Sequence, residues 1–313
     1  MGSTDPRKAF EDEFLQLGRE NKNIVGVSCD SASGGGLGAF FREFPERSVE
    51  AGISEQNAIG ISAAMSRQGL IPVMVVITPF ITMRAYEQVR DDIGYMNANV
   101  KLVGSGGGLA YSTLGSTHQA VEDVALMRTI PNMTVLSPCD AYDVKEALRM
   151  AVKIKGPVYI RMPRQAREII SNERNLRLEK AEELKKGDDL AILATGPMVE
   201  EAQIAAEILK KYDIDAAVLG YMTVKPLDED TIKAYAGKVK AFVTVEEHSV
   251  VNGFGTAVAQ CLAAVKGAPP VFIMGIPEGA KNTGPYKELL EYYGLTGEKI
   301  AENIKRIAEE LEI

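Results

Sequence analysis

The chain has 313 residues, 46% of them hydrophobic and 25% charged, a composition typical of globular proteins that excludes disordered and fibrous classes. Its formal net charge is -8 and it has no basic cluster, which argues against a nucleic-acid partner. Its apolar runs are too short to cross a membrane, and its start lacks the apolar core of a signal peptide, so we predict a protein that does not contact membranes. Its three widely spaced cysteines indicate no disulfide framework, which predicts a cytoplasmic location.

Strands and helices are predicted to alternate through the first half of the chain. The predicted strands are residues 24–29, 71–77, 100–103, 134–136 and 158–161, and the predicted helices are residues 10–21, 57–65, 78–93, 121–128 and 142–153. Two of the strands open into glycine-rich loops, at residues 31–38 and 104–108. Such an alternation predicts a parallel sheet that is covered by helices on both faces.

The second half shows the same alternation after a charged interruption at residues 164–186. Its strands are predicted at residues 190–196, 216–219, 241–245 and 270–274, and its helices at residues 198–212, 255–266, 286–291 and 296–311. We therefore predict two three-layer αβα domains at residues 1–165 and 189–313, joined by a linker at residues 166–188. The second domain is predicted to be smaller, with a mostly parallel sheet.

The three cysteines, Cys29, Cys139 and Cys261, lie far apart in the sequence and form no Cys-x-x-Cys pair. Neither a disulfide framework nor a zinc site is indicated by this spacing. Each cysteine lies in or beside an apolar run, so we expect all three to be small buried hydrophobic residues.

An isolated acid, Glu55, precedes a run of small apolar residues that is predicted to form a tightly packed helix. The positive end of a helix dipole favours the ionised carboxylate, whereas burial favours its protonated form. A carboxyl group in such a place is suited to sharing a proton near neutral pH. Alternatively, Glu55 belongs to a capping box with Gly52 or Ser54 and only stabilises the helix.

The segment Gly-Ile-Ser-Glu-Gln at residues 52–56, followed by the small-residue helix, resembles the cofactor-activating segment of the thiamine-diphosphate transketolase superfamily. This superfamily includes transketolase, deoxyxylulose-phosphate synthase and the β subunits of 2-oxo-acid dehydrogenases. The resemblance implies that Glu55 hydrogen-bonds N1′ of the aminopyrimidine, which promotes loss of the proton from thiazolium C2. It also implies that Ile53 contacts the cofactor. A buried carboxyl that can hold a proton is the physical requirement for this role.

His118, one of two histidines, follows a glycine-rich loop and precedes a predicted helix, where strand ends open to ligands. A lone histidine can also be structural. The segment Gly-Ser-Thr-His-Gln at residues 115–119 resembles the family's Gly-Pro-Thr-His segment, which implies a catalytic histidine near the reacting end of the cofactor. Transketolases carry an aspartate where this chain has Leu114, and a further histidine near Gly106, so the resemblance leaves the substrate open.

Three further residues match cofactor contacts of the family. Phe80 and Tyr86 flank the entrance to a predicted helix and match aromatic residues that pack on the aminopyrimidine, although aromatic residues there can equally belong to the core. Asp30, which follows the first strand, matches an aspartate near the cofactor cleft. The resemblance therefore implies cofactor binding by Phe80, Tyr86 and Asp30.

Two arginines, Arg7 and Arg164, lie where transketolases keep arginines that bind the phosphate of the sugar. A guanidinium group can bind a phosphate through two parallel hydrogen bonds. The alternative is that both are ordinary surface arginines. The other histidine, His248, follows a Val-Glu-Glu segment that resembles the family's C-terminal domain, and it is expected to be structural or interfacial.

The Gly-Asp-Gly segment with which the family binds Mg²⁺ and diphosphate does not occur in the sequence. The resemblance therefore implies the C-terminal subunit of a split transketolase, which uses thiamine diphosphate with Mg²⁺ held by an N-terminal partner subunit. It further implies a homodimer of this chain, in an α2β2 assembly, and transfer of a two-carbon unit between sugar phosphates. The alternatives are the β subunit of a 2-oxo-acid dehydrogenase E1 component and a regulatory or assembly subunit without activity.

Overall fold

The structure is a computed structural model that describes residues 5–170, 174, 176–279 and 282–313. Within these described residues, the first half contains six strands and six α-helices, together with 3-10 and π-helical turns. The strands are β1 (Ile24–Ser28), β2 (Ser48–Glu50), β3 (Ile71–Ile77), β4 (Lys101–Ser105), β5 (Thr134–Leu136) and β6 (Val158–Met162). The helices are α1 (Pro6–Glu20), α2 (Gly38–Glu43), α3 (Glu55–Arg67), α4 (Tyr86–Gln88), α5 (Asp123–Thr129) and α6 (Ala141–Lys153).

In the described part of the second half there are six more strands and five more α-helices. The strands are β7 (Glu182–Lys185), β8 (Leu190–Ala194), β9 (Ala216–Gly220), β10 (Thr223–Lys225), β11 (Ala241–Ser249) and β12 (Val271–Ile276). The helices are α7 (Met198–Leu209), α8 (Glu229–Ala236), α9 (Phe254–Leu262), α10 (Tyr286–Tyr292) and α11 (Gly297–Glu310).

Two sheets organise these elements. The first has seven strands in the order β10-β5-β6-β4-β3-β1-β2, and the second has five in the order β12-β11-β8-β9-β7. All pairs are parallel except β10 with β5 and β7 with β9. The central strands are buried along their whole length, as expected when helices cover both faces of a sheet. The predicted fold class, two αβα units with mostly parallel sheets, is confirmed.

The two halves share structure at their junction. Strand β10 comes from the second half of the chain but pairs with β5 at the edge of the first sheet. Strand β7 lies within the predicted linker, at residues 166–188, and pairs with β9 of the second sheet. The domain boundaries at residues 165 and 189 therefore remain a prediction. In the structure, strand pairing links the two halves of the chain and joins the predicted linker to the second sheet.

All three cysteines are buried and free, as predicted. Among the residues that the structure describes, no helix is both long enough and apolar enough to cross a membrane.

Candidate active site

The candidate residues of the first half follow the carboxyl ends of neighbouring strands of the first sheet. Asp30 follows β1, Phe80 follows β3 and Arg164 follows β6, while β4 opens into the glycine-rich segment that leads to His118. Because these strands are parallel, their carboxyl ends share one edge of the sheet. This edge is where open α/β sheets bind ligands.

Glu55 is the first residue of α3 and is 2% exposed. It does not form the capping box that the sequence allowed, because the Ser54 hydroxyl donates to the carbonyl of Ala51 and makes no side-chain cap. The Gly52 N–H donates instead to Glu50. The carboxyl of Glu55 is thus buried at a helix start without a capping role.

Arg84 is the partner of Glu55. Its Nη1 donates to both carboxyl oxygens at 3.1 Å, and its guanidinium carbon lies 4.0 Å from the centre of the Phe80 ring. The space between Glu55 and Phe80 therefore accommodates a flat, nitrogen-bearing group that stacks on the ring and hydrogen-bonds the carboxyl. The Arg84 side chain is 41% exposed, so the space that it occupies is open to solvent on one side.

The thiol of Cys29 lies close enough to respond to Glu55. Burial, and after it the negative charge of Glu55, raises the pKa of the Cys29 thiol to about 11. Cys29 therefore stays a neutral thiol at physiological pH, in agreement with its predicted role as a buried hydrophobic residue.

His118 lies beside Phe80 and Tyr111. The centres of its ring and the Phe80 ring are 5.3 Å apart, and the Tyr111 ring lies 5.8 Å away, both at steep interplanar angles. The Nδ1 of His118 is 2.8 Å from the Thr117 hydroxyl. The structure thus brings the predicted catalytic histidine and the predicted cofactor-binding phenylalanine together, although 37 residues separate them in the sequence.

Arg7 and Arg164 line the same cavity, of about 200 Å³, although they are far apart in sequence. Tyr111 connects this cavity to His118, because its hydroxyl accepts from Arg164 Nη1 at 3.1 Å and its ring lies 4.6 Å from that guanidinium. Ser31 also lines the cavity, and its Oγ has no hydrogen-bond partner among the described residues. None of the described lining residues is acidic, so the cavity is suited to an anion.

The other predicted cofactor contacts lie around this centre. Asp30 is exposed and has a left-handed backbone with φ of 56°, and its N–H donates to Glu50. Ile53 is 74% exposed, two residues before Glu55. Tyr86 is half-buried, and its hydroxyl lies 2.7 Å from that of Thr129 in α5. The Tyr86 hydroxyl is thus engaged with α5, whereas Asp30 and Ile53 are accessible.

Residues 108–120, which we call the histidine loop, carry Tyr111 and His118. Gly108 and Ala120 close this loop by reciprocal backbone hydrogen bonds of 2.9 and 2.8 Å. Arg161 fixes the closure, because its Nη2 donates to the Ala120 carbonyl while its Nε donates to the fully buried Asp123 at 2.8 Å. A buried ion pair therefore supports the base of the loop.

The second half of the chain reaches this loop through consecutive residues of β11. Glu247 Oε1 accepts from the Leu109 N–H at 2.6 Å, and burial raises the pKa of Glu247. His248 is buried, and its Nε2 accepts from the Ala125 N–H at 3.3 Å. His248 therefore bridges the two halves of the chain.

One cluster among the described residues, Cys139, Asp140 and Asp143, brings together three groups that could bind a metal. Arg174 already pairs with both carboxylates, and Cys139 Sγ donates to Asp143. Burial raises the pKa of Asp143 to about 6. The arginine neutralises the acids that a cation would need, and a thiol is a poor ligand for Mg²⁺.

Sequence reasoning missed Arg84 and Tyr111. Arg84 lies four residues after Phe80, which is a spacing that brings side chains together on a helix, so its position offered a signal. Tyr111 is an aromatic residue within a glycine-rich segment, which is a weaker signal because nothing in the sequence shows where the loop folds.

Two family models match the chain and together cover most of it. Residues 3–168 match the transketolase pyrimidine binding domain and residues 179–300 match the transketolase C-terminal domain. The chain is 40% identical over 309 residues to a Methanocaldococcus jannaschii protein that carries the name of a transketolase C-terminal section, covering 97% of this chain and 96% of that protein.

A second relative is one of the subunits of an apulose-4-phosphate transketolase from Phocaeicola vulgatus, which is 38% identical, with 94% of each chain covered. A solved structure described as a split gene transketolase, inactive beta4 tetramer, superposes with a TM-score of 0.87 at 35% identity, covering 97% of this chain and 98% of that one. The chain therefore belongs to the transketolase family, in which it corresponds to the pyrimidine-binding and C-terminal domains that split transketolases carry as one subunit.

Proposed function

We propose that the chain is the catalytic C-terminal subunit of a thiamine-diphosphate-dependent transketolase. Together with an N-terminal partner subunit that holds the diphosphate and Mg²⁺, it transfers a two-carbon ketol unit from a ketose phosphate to an aldose phosphate. The observation that carries the proposal is the buried Glu55, which is linked through Arg84 to Phe80 and lies at the same sheet edge as His118.

The residues beside Glu55 fit the aminopyrimidine part of the cofactor. The flat guanidinium of Arg84 lies between the Phe80 face and the Glu55 carboxyl, which supports a place for a flat, nitrogen-bearing group there. Ile53 is exposed next to the same helix start and is available to contact the cofactor. Glu55, Phe80 and Ile53 are therefore the residues of this chain that would hold the pyrimidine, with Tyr86 and Asp30 further from the centre.

Thiamine diphosphate, when bound, supplies the electron sink that breaking a carbon–carbon bond next to a carbonyl requires. With the cofactor bound in place of Arg84, the Glu55 carboxyl would hold a proton toward the ring nitrogen. Because both oxygens of Glu55 accept from Arg84, the guanidinium has to release at least one of them when the cofactor binds. Burial of Glu55 keeps water from competing for this proton.

The substrate is proposed to bind between His118 and the cavity that Arg7 and Arg164 line. The Nε2 of His118 has no hydrogen-bond partner among the described residues, so it can bind a substrate hydroxyl. The two arginines and the unpartnered Ser31 hydroxyl suit a phosphate group. This arrangement supports a phosphorylated sugar as the substrate class, and it supports sugar-phosphate metabolism as the setting.

Reconstitution tests the proposal. The purified chain with thiamine diphosphate and Mg²⁺ is expected to be inactive with a ketose phosphate and an aldose phosphate, and to become active when the partner subunit is added. Activity of the chain alone would contradict the division of the site between two subunits.

Substrate choice is tested on the same reconstituted pair, in the proposed α2β2 assembly. Turnover of pyruvate or branched 2-oxo acids instead of ketose phosphates would identify the β subunit of a 2-oxo-acid dehydrogenase. A calorimetric titration in which the assembled complex binds no cofactor would instead identify a regulatory or assembly subunit.

A further inference from the structure

The histidine loop has little regular structure of its own. Between its closing residues, only Gly115–Thr117 form a turn of 3-10 helix. Its internal backbone hydrogen bonds are short-range, from Leu114 to Tyr111 and from His118 and Gln119 to Gly115. The Ser112 carbonyl accepts from the Gly284 N–H, so attachments to the second half of the chain help to fix the position of the loop. This position matters because the rings of Tyr111 and His118 project from the loop toward Arg164 and Phe80.

The base of the loop is attached to a carboxyl group from the second half of the chain. Glu247 is buried in β11, and its Oε1 accepts from the Leu109 N–H at 2.6 Å. Its Oε2 accepts from the hydroxyl of Tyr286, at the start of α10, also at 2.6 Å. The carboxyl thus joins the first residues of the loop to the C-terminal domain.

The approach of the backbone to this carboxyl is close enough to require a glycine. Gly108 has a φ of +64°, and a Cβ at this position would lie 2.4 Å from Glu247 Oε1. Arg161 completes the junction, because its Nη2 donates both to the Ala120 carbonyl and to the Glu247 carbonyl. Both ends of the loop therefore meet at Glu247, one at its side chain and the other through Arg161.

We propose that Glu247 is a positioning residue: it places the histidine loop, and with it Tyr111 and His118, over the active site. A hydrogen bond from a backbone N–H to a buried carboxylate is stronger than one between neutral groups, which suits an attachment that has to hold an irregular loop. Its effect on catalysis rests on the proposed function, whereas its effect on the loop rests on the geometry alone.

Hydrogen exchange in the full chain, without cofactor or partner, tests the attachment. In Glu247→Ala, the amides of residues 109–119 are expected to exchange at least about tenfold faster, because a hydrogen bond to a charged group is lost. Glu247→Gln keeps the shape and an acceptor oxygen, so it is expected to restore part of the protection.

The neighbouring Glu246 provides the matched control. It is equally buried, but its oxygens accept from the N–H groups of Phe254 and Gly255 at the start of α9. Glu246→Ala is therefore expected to loosen α9 and to leave residues 109–119 protected. Unchanged exchange in the loop of Glu247→Ala, or an equal increase in Glu246→Ala, would overturn the proposal.

If Glu247→Ala does not fold, Glu247→Gln and Tyr286→Phe provide the same comparison with smaller changes. In the reconstituted enzyme, Glu247→Ala is expected to lower kcat about tenfold or more, with the KM for the cofactor changed by less than about threefold. A change confined to the cofactor KM would contradict a role through His118. If the reconstituted wild-type enzyme had no transketolase activity, the proposed function would be wrong. The hydrogen-exchange experiment would still test whether Glu247 holds the histidine loop.

Discussion

Two buried glutamates lie at or beside the candidate active site, and they differ in what holds them. The partner of Glu55 is a single nitrogen of a side chain that is 41% exposed. Glu247 is held instead by a backbone N–H and a tyrosine hydroxyl, both fixed by surrounding elements of the fold. Arg84 can therefore move into solvent once another partner replaces it at Glu55, whereas the partners of Glu247 cannot move without displacing a loop or a helix.

This difference separates a carboxyl group that is suited to chemistry from one that is suited to architecture. An acid that has to exchange partners during a reaction needs a partner that solvent can replace. An acid that positions a loop needs partners that solvent cannot reach, because only a desolvated hydrogen bond keeps its full strength. Four variants, of Arg161, Glu55, Arg84 and Glu247, test which of these carboxyl groups is catalytic and which is structural.

The largest effect is expected on stability, in Arg161→Met, which removes the buried ion pair at the base of the histidine loop. Arg161 and Asp123 form an ion pair that is almost completely buried, with side chains 4% and 0% exposed. Removing the arginine leaves an uncompensated buried charge, which costs about 3–5 kcal/mol of the free energy of unfolding. Urea unfolding of the chain measures this loss.

The matched control is the surface pair Arg19–Glu43, which likewise joins an arginine to a carboxylate. Arg19→Met is expected to lower the free energy of unfolding far less than Arg161→Met does, because solvent screens an exposed pair. Equal losses in the two variants would show that the base of the histidine loop is no more rigid than the surface.

The next effect is on turnover, in Glu55→Gln. The amide cannot supply the proton that the proposed function assigns to this carboxyl, so kcat of the reconstituted enzyme is expected to fall at least ~10²-fold. The exposed Glu87, in α4, serves as control, and Glu87→Gln is expected to leave kcat unchanged. Near wild-type turnover in Glu55→Gln would show that Glu55 has a structural role and no catalytic one.

The elements that the sequence predicted well are those with strong local signals. Strand β3 has the predicted bounds, and α6 begins one residue before its prediction, behind the N-cap Asp140. Strand β10 was missed, because a strand of three residues is stabilised here by pairing with β5, almost ninety residues earlier. Such a partner leaves no trace in the local pattern.

The candidate site was predicted in its residue types but only partly in its connections. Arg7 and Arg164 share a cavity, as a common phosphate site requires. The predicted regular helix at residues 78–93 contains wide π-helical turns at Phe80–Arg84 and Val89–Tyr95. Helical spacing indicates that Arg84 lies near Phe80, but it carries no information about Glu55, which lies 29 residues earlier in α3. The predicted strand at residues 241–245 ends before the acids of β11, because the sequence does not show which distant partners allow their burial. These partners are the start of α9 for Glu246, and Leu109 and Tyr286 for Glu247.

A smaller effect on stability is expected in Arg84→Met, because the pair of Glu55 with Arg84 is buried on one side only. The loss is expected to be about 1–2 kcal/mol, between the values of buried and exposed pairs. Arg90→Met is the control, since Arg90 also pairs with an acid and lies over an aromatic ring, but on the surface. A loss above that of Arg161→Met would show that Arg84 is a fixed structural partner and cannot serve as an exchangeable one.

The smallest effect is expected on the pH dependence of the free energy of unfolding, which is compared between wild type and Glu247→Gln. Burial raises the pKa of Glu247 above its ordinary value of 4.5, so above that pH the folded chain binds this proton more tightly than the unfolded chain does. The contribution of Glu247 to stability is therefore present at low pH and decreases as pH rises toward the folded-state pKa.

Because one group exchanges at most one proton, the contribution changes by less than about 1.4 kcal/mol per pH unit. Glu247→Gln cannot titrate, so the difference in the free energy of unfolding between the two chains should shift in favour of the variant as pH rises above 4.5. Urea unfolding at a series of pH values measures this difference. A constant difference would mean that the hydrogen bonds from Leu109 and Tyr286 compensate the carboxylate for its lost hydration, and the attachment of the loop would then be equally strong across the physiological range.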